Sequence, residues 1–82
     1  MWFKDELGKE GITIEDRYMI YSSKDTTYII PYSHIRTIEV KGNKLTIYTG
    51  GVERMVITMK DENTAKLLLE AVLTGIEKIY LK

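Results

Sequence analysis

Apolar and polar residues alternate with a period of two through most of residues 11–59, and the period lengthens to about 3.6 from residue 61 onward. GITI (11–14) predicts a short strand and EDR (15–17) a tight turn. RYMIYS (17–22), rich in β-preferring residues, predicts a second strand. SSKDTT (22–27) has no apolar side chain and reads as a loop, followed by a strand over TYIIPY (27–32). Further on, RTIEV starts a strand that meets KGNK (41–44), a hairpin turn whose Gly42 and Asn43 accept positive φ. KLTIYT (44–49) sets Leu45 and Ile47 against Thr46 and Tyr48, Gly50 and Gly51 make another turn, and VERMVITM (52–59) groups Met55, Ile57 and Met59 on one face. Three strands joined by two short turns predict an antiparallel meander.

The chain's one proline, Pro31, and one histidine, His34, fall between two of these strands. Proline cannot donate to a ladder, so Pro31 marks an edge, a bulge or a strand end. Ile38 and Val40 share a face from which Ile35 is out of phase. A turn over Tyr32–His34 would bring Ile35 inward as the plug of a corner.

From Asp61, the residues Ala65, Leu68, Leu69, Val72, Leu73 and Ile76 follow the spacing of an amphipathic helix. Asp61 is a suitable N-cap, and Glu62 suits the positive end of the helix dipole. Gly75 offers a stop, giving a helix over 61–75, but Ile76, Ile79 and Tyr80 keep the phase and allow extension to residue 80. Residues 1–10 predict one or two helical turns, with Trp2, Phe3 and Leu7 as docking side chains.

Eighty-two residues with 44% hydrophobic and 29% charged side chains suit a single soluble domain over 1–82 with one modest core. The absence of cysteine removes disulfides, thiolate metal sites and cysteine nucleophiles, and favours a reducing, cytoplasmic location. The N-terminal segment lacks the apolar core of a signal peptide, and no stretch has the length of a membrane span. Twelve basic and twelve acidic side chains cancel, which disfavours a dedicated nucleic-acid binder. The fold class expected is α+β, mainly β: an antiparallel meander closed by one C-terminal helix.

The order of elements resembles the pleckstrin-homology-like (PH-like) superfold, and especially its short bacterial versions. GITIEDRYMIYSS resembles that group's strand, acidic turn with a basic residue, and second strand. YIIPYSHIRTIEV resembles its I-P-Y-S corner with an isoleucine plug, and NKLTIYTGG its alternating strand ending in a glycine turn. The helix from Asp61 matches the element that closes one end of the barrel. The resemblance covers residues 11–75 and implies a partly open barrel and a non-catalytic module that binds proteins or peptides, often within an oligomer. Binding of a lipid headgroup is not implied, because the first hairpin loop offers only Lys24 beside Asp25 where the lipid-binding members carry a basic cluster.

His34 has no second histidine or cysteine to complete a metal or acid–base site, so it reads as an exposed turn residue, and Ser33 beside it makes no dyad. No catalytic residue, metal ligand or cofactor site is assigned. Six tyrosines combine apolar bodies with wet tips and suit the core and rim of a sheet. Yet both faces of 28–32 are apolar, Tyr28, Ile30 and Tyr32 on one and Ile29 and Pro31 on the other. Together with the wide helix face this suggests surplus apolar surface, and hence self-association or a protein partner. Trp2, Phe3, Tyr28, Tyr32 and Tyr80 are the candidate partner-binding residues, and the edge beside Pro31 a place where a partner strand could add. The alternative function is a small single-stranded nucleic-acid binder, with Lys24, Arg36 and Lys44 contacting phosphate and tyrosines stacking on bases.

Overall fold

The alternating segments fold into two separate three-stranded antiparallel sheets, and the 3.6-residue segment into one long helix. A computed structural model describes residues 2–51 and 54–80, with side chains from residue 6 onward. A short helix α1 (Trp2–Lys9) leads into β1 (Ile12–Ile14), β2 (Tyr18–Ser23) and β3 (Thr26–Pro31), which form the first sheet in that order. A single 3₁₀ turn, Tyr32–His34, carries the chain to β4 (Thr37–Lys41), β5 (Lys44–Tyr48) and β6 (Arg54–Thr58), the second sheet. Helix α2 (Glu62–Tyr80) closes the order. The architecture is α+β, mainly β, and neither sheet closes on itself.

Register explains which residues are inside. Pairing of Ile12 with Tyr21, Ile14 with Met19, Met19 with Ile30 and Tyr21 with Tyr28 places these six on the inner face of the first sheet. The rows Ile38–Ile47–Met55 and Val40–Leu45–Ile57 form the inner face of the second. The two faces meet Ala65, Leu68, Ala71 and Val72 of α2 and Leu7 of α1 in one core. The period-two and period-3.6 patterns therefore converge on the same buried volume.

Two elements depart from expectation. The polar segment 22–27 is no loose loop: Ser22 and Ser23 belong to β2, Thr26 and Thr27 to β3, and only Lys24 and Asp25 turn the chain. Lys24 takes the left-handed φ of 51° that such a two-residue turn demands. Polarity hid these strand ends because Ser22 and Thr27 pair on the solvent side of the sheet. Second, Leu73 is exposed, although its spacing had placed it on the apolar helix face.

Helix α2 runs through Gly75 to Tyr80, and Gly75 is buried against the ring of Tyr32. A Cβ at residue 75 would stand 2.5 Å from Tyr32 Cε2, closer than any real contact. The glycine is a notch for that ring and not a helix stop. At the other end Asp61 is the N-cap, its Oδ1 accepting from Thr64 N–H at 2.8 Å and Thr64 Oγ1 at 2.7 Å. The Thr64 hydroxyl and amide hold the Asp61 carboxyl below its ordinary range. The stabilisation from this cap is therefore present above that range and is lost as pH falls through the lowered value.

Helix α1 is tied to the β6–α2 junction: the Lys60 amide donates to Glu10 Oε1 at 3.0 Å, and Lys60 Nζ lies 3.4 Å from Glu6 Oε2. These links are solvent-exposed and serve more to orient than to stabilise. Among the described residues no helix is long and apolar enough to cross a membrane.

Candidate functional site

An unpaired strand edge is a row of free backbone donors and acceptors, and two sheets of three strands have four such edges. Three of them are guarded. Strand β1 is only three residues long and has α1 packed against it, and β4 carries Glu39 and Lys41 beside α2. Strand β6 opens with Arg54. Strand β3, TTYIIP, is six residues long and bears no charge.

The phase of β3 follows from its turn. A two-residue hairpin makes its flanking pair, Ser23 and Thr26, the hydrogen-bonded kind, and the kinds then alternate. The far end agrees, since the Tyr32 amide donates to the Arg17 carbonyl at 3.0 Å. Thr26, Tyr28 and Ile30 thus turn their backbone groups toward β2, and Thr27, Ile29 and Pro31 turn theirs outward. Proline sits at the one kind of position where its missing N–H weakens no ladder. The sequence expectation of an edge beside Pro31 therefore has a specific geometry: two outward amides, at Thr27 and Ile29, and three outward carbonyls.

Both faces of this edge are apolar. On the outer face Tyr18 pairs with Pro31 and Ile20 with Ile29, a contiguous patch in which Ile29 is 64% exposed. On the inner face the rings of Tyr21 and Tyr28 stack with centroids 6.0 Å apart and planes 17° from parallel. Beside Tyr28 the sandwich opens into a groove of about 310 Å³, lined by Tyr28–Pro31 and His34 on one side and by Ile47, Thr49, Arg54 and Met55 on the other. A second groove of about 480 Å³ continues past the β2–β3 turn, where Lys24 and Arg54 flank the stacked tyrosines.

Of the residues named from sequence, Tyr28 lies at the centre of this site and is 40% exposed. Tyr32 does not belong to it. Its side chain is 0% exposed and its hydroxyl donates to the Glu15 carbonyl at 2.9 Å, so it is a core residue and not a contact residue. Burial pushes its phenol up to about 12, helped by the nearby Glu15 carboxylate. Tyr80 is exposed at the last turn of α2. Trp2 and Phe3 lie on α1, and their side chains fall outside the described residues.

Of the three basic candidates, Arg36 and Lys44 stand toward opposite ends of β5. Lys24 is at the hairpin tip, while Arg36 lies over the backbone of Gly50, with its Cγ 3.0 Å from where a Cβ would stand. Lys44 starts β5 and Tyr48 ends it, so Lys44 stands roughly 13 Å along the strand from the Arg36 end. His34 is exposed in the 3₁₀ turn, and Ile35 beside it is half-buried against the core, as the corner reading expects.

Sequence reasoning did not single out Ile29, Tyr18, Ile20 or Arg54 as site residues. The first was within reach, because Ile29 alternates out of phase with buried Ile30 on a strand that needs only one apolar face. Tyr18 and Ile20 required the β2–β3 register, and Arg54 required the approach of the two sheets. Comparison of the chain with protein-family models, with curated proteins and with solved structures finds no match in any of the three.

Proposed function

We propose that this chain is a non-enzymatic interaction module of PH-like, partly open barrel architecture, which binds a protein or peptide partner along β3 and self-associates. One observation carries the reading: an uncharged six-residue strand edge with outward amides at Thr27 and Ile29 borders an apolar groove shared by both sheets. An extended segment added there gains main-chain hydrogen bonds from β3, and its alternate side chains enter the groove over Ile47 and Met55. The PH-like architecture is supported by the order of six strands before one helix and by the corner at Tyr32–His34.

The test is a titration of isotope-labelled protein with peptides selected from a random extended library. Amide shifts concentrated at Thr27, Ile29 and Met55 are expected. Shifts confined to α2 or to the β4 edge would remove β3 as the docking element.

A second reading, a small single-stranded nucleic-acid binder, draws on the other groove. There the stacked Tyr21–Tyr28 pair stands with Lys24 and Arg54, which offers stacking and phosphate contact together. It is expected to show oligonucleotide binding that weakens with salt and disappears when Lys24 and Arg54 are both neutralised. Salt-independent or absent binding removes this reading.

A further inference from the structure

We infer that the segment occupying the β3 edge is β3 of a second copy of this chain, paired antiparallel across a two-fold axis so that two three-stranded sheets join into one of six. The inference rests on the edge-docking reading above and specifies its partner.

The hydrogen-bond arithmetic favours an identical strand. Only Thr27 and Ile29 present outward amides, which makes four in a pair of chains. With the axis at Tyr28, Thr27 of each copy faces Ile29 of the other, and all four amides find carbonyls. With the axis at Ile29, the two Ile29 residues exchange both their bonds, and each Thr27 amide meets the Pro31 carbonyl of the other copy. Either two-fold register satisfies every outward donor. The donor that Pro31 lacks leaves no amide unpaired.

Charge is the second argument. In a two-fold pairing the strand meets its own copy, so a net charge on it meets the same net charge, and like charges across a ladder destabilise it. A strand without net charge pairs with itself free of this repulsion, whereas one that receives a foreign peptide gains register and selectivity from opposite charges. Thr26–Pro31 is neutral throughout, and the three other edges of the molecule are short, covered or charged. Strand β3 is the longest of the four edge strands and carries no charge.

Third, the surfaces that flank the edge are ones that benefit from meeting themselves. A two-fold axis perpendicular to the sheet keeps outer faces together. The patch of Tyr18, Ile20, Ile29 and Pro31 is therefore continued by the same patch on the other copy, and Ile29 loses most of its exposure. On the inner face the two Tyr21–Tyr28 stacks come into line, and the grooves over Ile47 and Met55 adjoin.

The decisive experiment is sedimentation equilibrium over a hundredfold range of protein concentration, on the wild type, I29P, I29K and L73K. Ile29→Pro removes an outward amide without touching the β2 ladder, as Pro31 already does two residues later. Ile29→Lys places a charge at an exposed position and tests the same edge should proline disturb the strand. Leu73, exposed on α2, serves as the control.

A wild-type mass of two chains is expected. The dissociation constant should rise at least tenfold in both Ile29 variants, with far-ultraviolet circular dichroism unchanged, and stay as in the wild type in L73K. Protection of the Thr27 and Ile29 amides from exchange should grow with concentration. A dimer equally tight in I29P and I29K overturns the inference, and so does a mass that climbs past two chains, the mark of β3 pairing head-to-tail with β6. A wild-type monomer overturns it as well. If Thr27 and Ile29 in that monomer still shift with the selected peptides, the self-pairing has failed while the edge-docking reading stands.

Discussion

Tyr32→Ala is expected to remove most of the stability of the fold, while Tyr32→Phe lowers it only modestly. Deleting a fully buried aromatic side chain costs about 3–5 kcal/mol when the surroundings cannot collapse. A chain of 82 residues has roughly 4–12 kcal/mol in total. Tyr32 joins three parts of the molecule: it forms the corner between the sheets, its ring fills the notch at Gly75, and its hydroxyl holds the Glu15 carbonyl. Collapse around an alanine would have to move all three. Phenylalanine keeps the ring and loses one hydrogen bond, about 1 kcal/mol, because the carbonyl of exposed Glu15 can turn to water. The corresponding fall in melting temperature is about 4–8 °C.

The same residue gives the fold an alkaline limit. Its phenol titrates near 10.0 when unfolded and at about 12 when folded, so between those values the folded chain holds a proton that the unfolded chain has released. Stability from this group is complete below pH 10 and is lost as pH rises through 12, on the order of 2–3 kcal/mol. Chemical denaturation of the wild type and Tyr32→Phe as a function of pH should show the wild-type advantage shrinking above pH 10. A constant difference between the two would mean that the hydroxyl is solvated and the burial argument mistaken.

How much of this was legible in the sequence depends on whether the cause of a feature is local. The meander β4–β5–β6 is visible because turns at Gly42–Asn43 and Gly50–Gly51 separate strands whose inner rows, Ile47–Met55 and Leu45–Ile57, alternate cleanly. The N-cap at Asp61 is visible because cap and helix are contiguous. Tyr32 was named among the partner-binding candidates as well as suiting core or rim, although alternation put it in phase with Ile30. A tyrosine in a strand is as good a rim residue as a core residue, and what decides is the Glu15 carbonyl, 17 residues away. Its counterpart Gly75 is 43 positions further on, and nothing in either local sequence mentions the other. The edge at β3 lies between these cases. Pro31 and the double apolar face of 28–32 were legible, but which amides point outward follows only from the register set by Lys24 and Asp25. The converse holds for Arg36 and Lys44, which are close in sequence while β5 separates them by its length.

Gly75→Ala provides a test in which local and tertiary reasoning predict opposite signs. Position 75 is inside a helix, where exchanging glycine for alanine ordinarily stabilises by about 1 kcal/mol. The added methyl, however, would stand 2.5, 2.7 and 2.9 Å from Cε2, Cζ and Cδ2 of Tyr32. The ring cannot step aside, since it is fully buried and its hydroxyl is held at Glu15. Forcing one extra carbon into such a core costs roughly 1–3 kcal/mol, so overpacking outweighs propensity and the substitution destabilises. If the ring is the cause, its removal must reverse the sign. On a Tyr32→Leu background, itself less stable, Gly75→Ala is expected to be neutral or to stabilise by up to about 1 kcal/mol. Urea unfolding of the two single variants and the double variant gives the coupling energy directly. Additive effects, or stabilisation by Gly75→Ala in the wild type, would show that the helix and the corner are not locked together by this contact. A strong coupling would mean that the glycine inside α2 is there for a residue of the sheet corner, and that the corner which sets the position of β3 is held from the helix side.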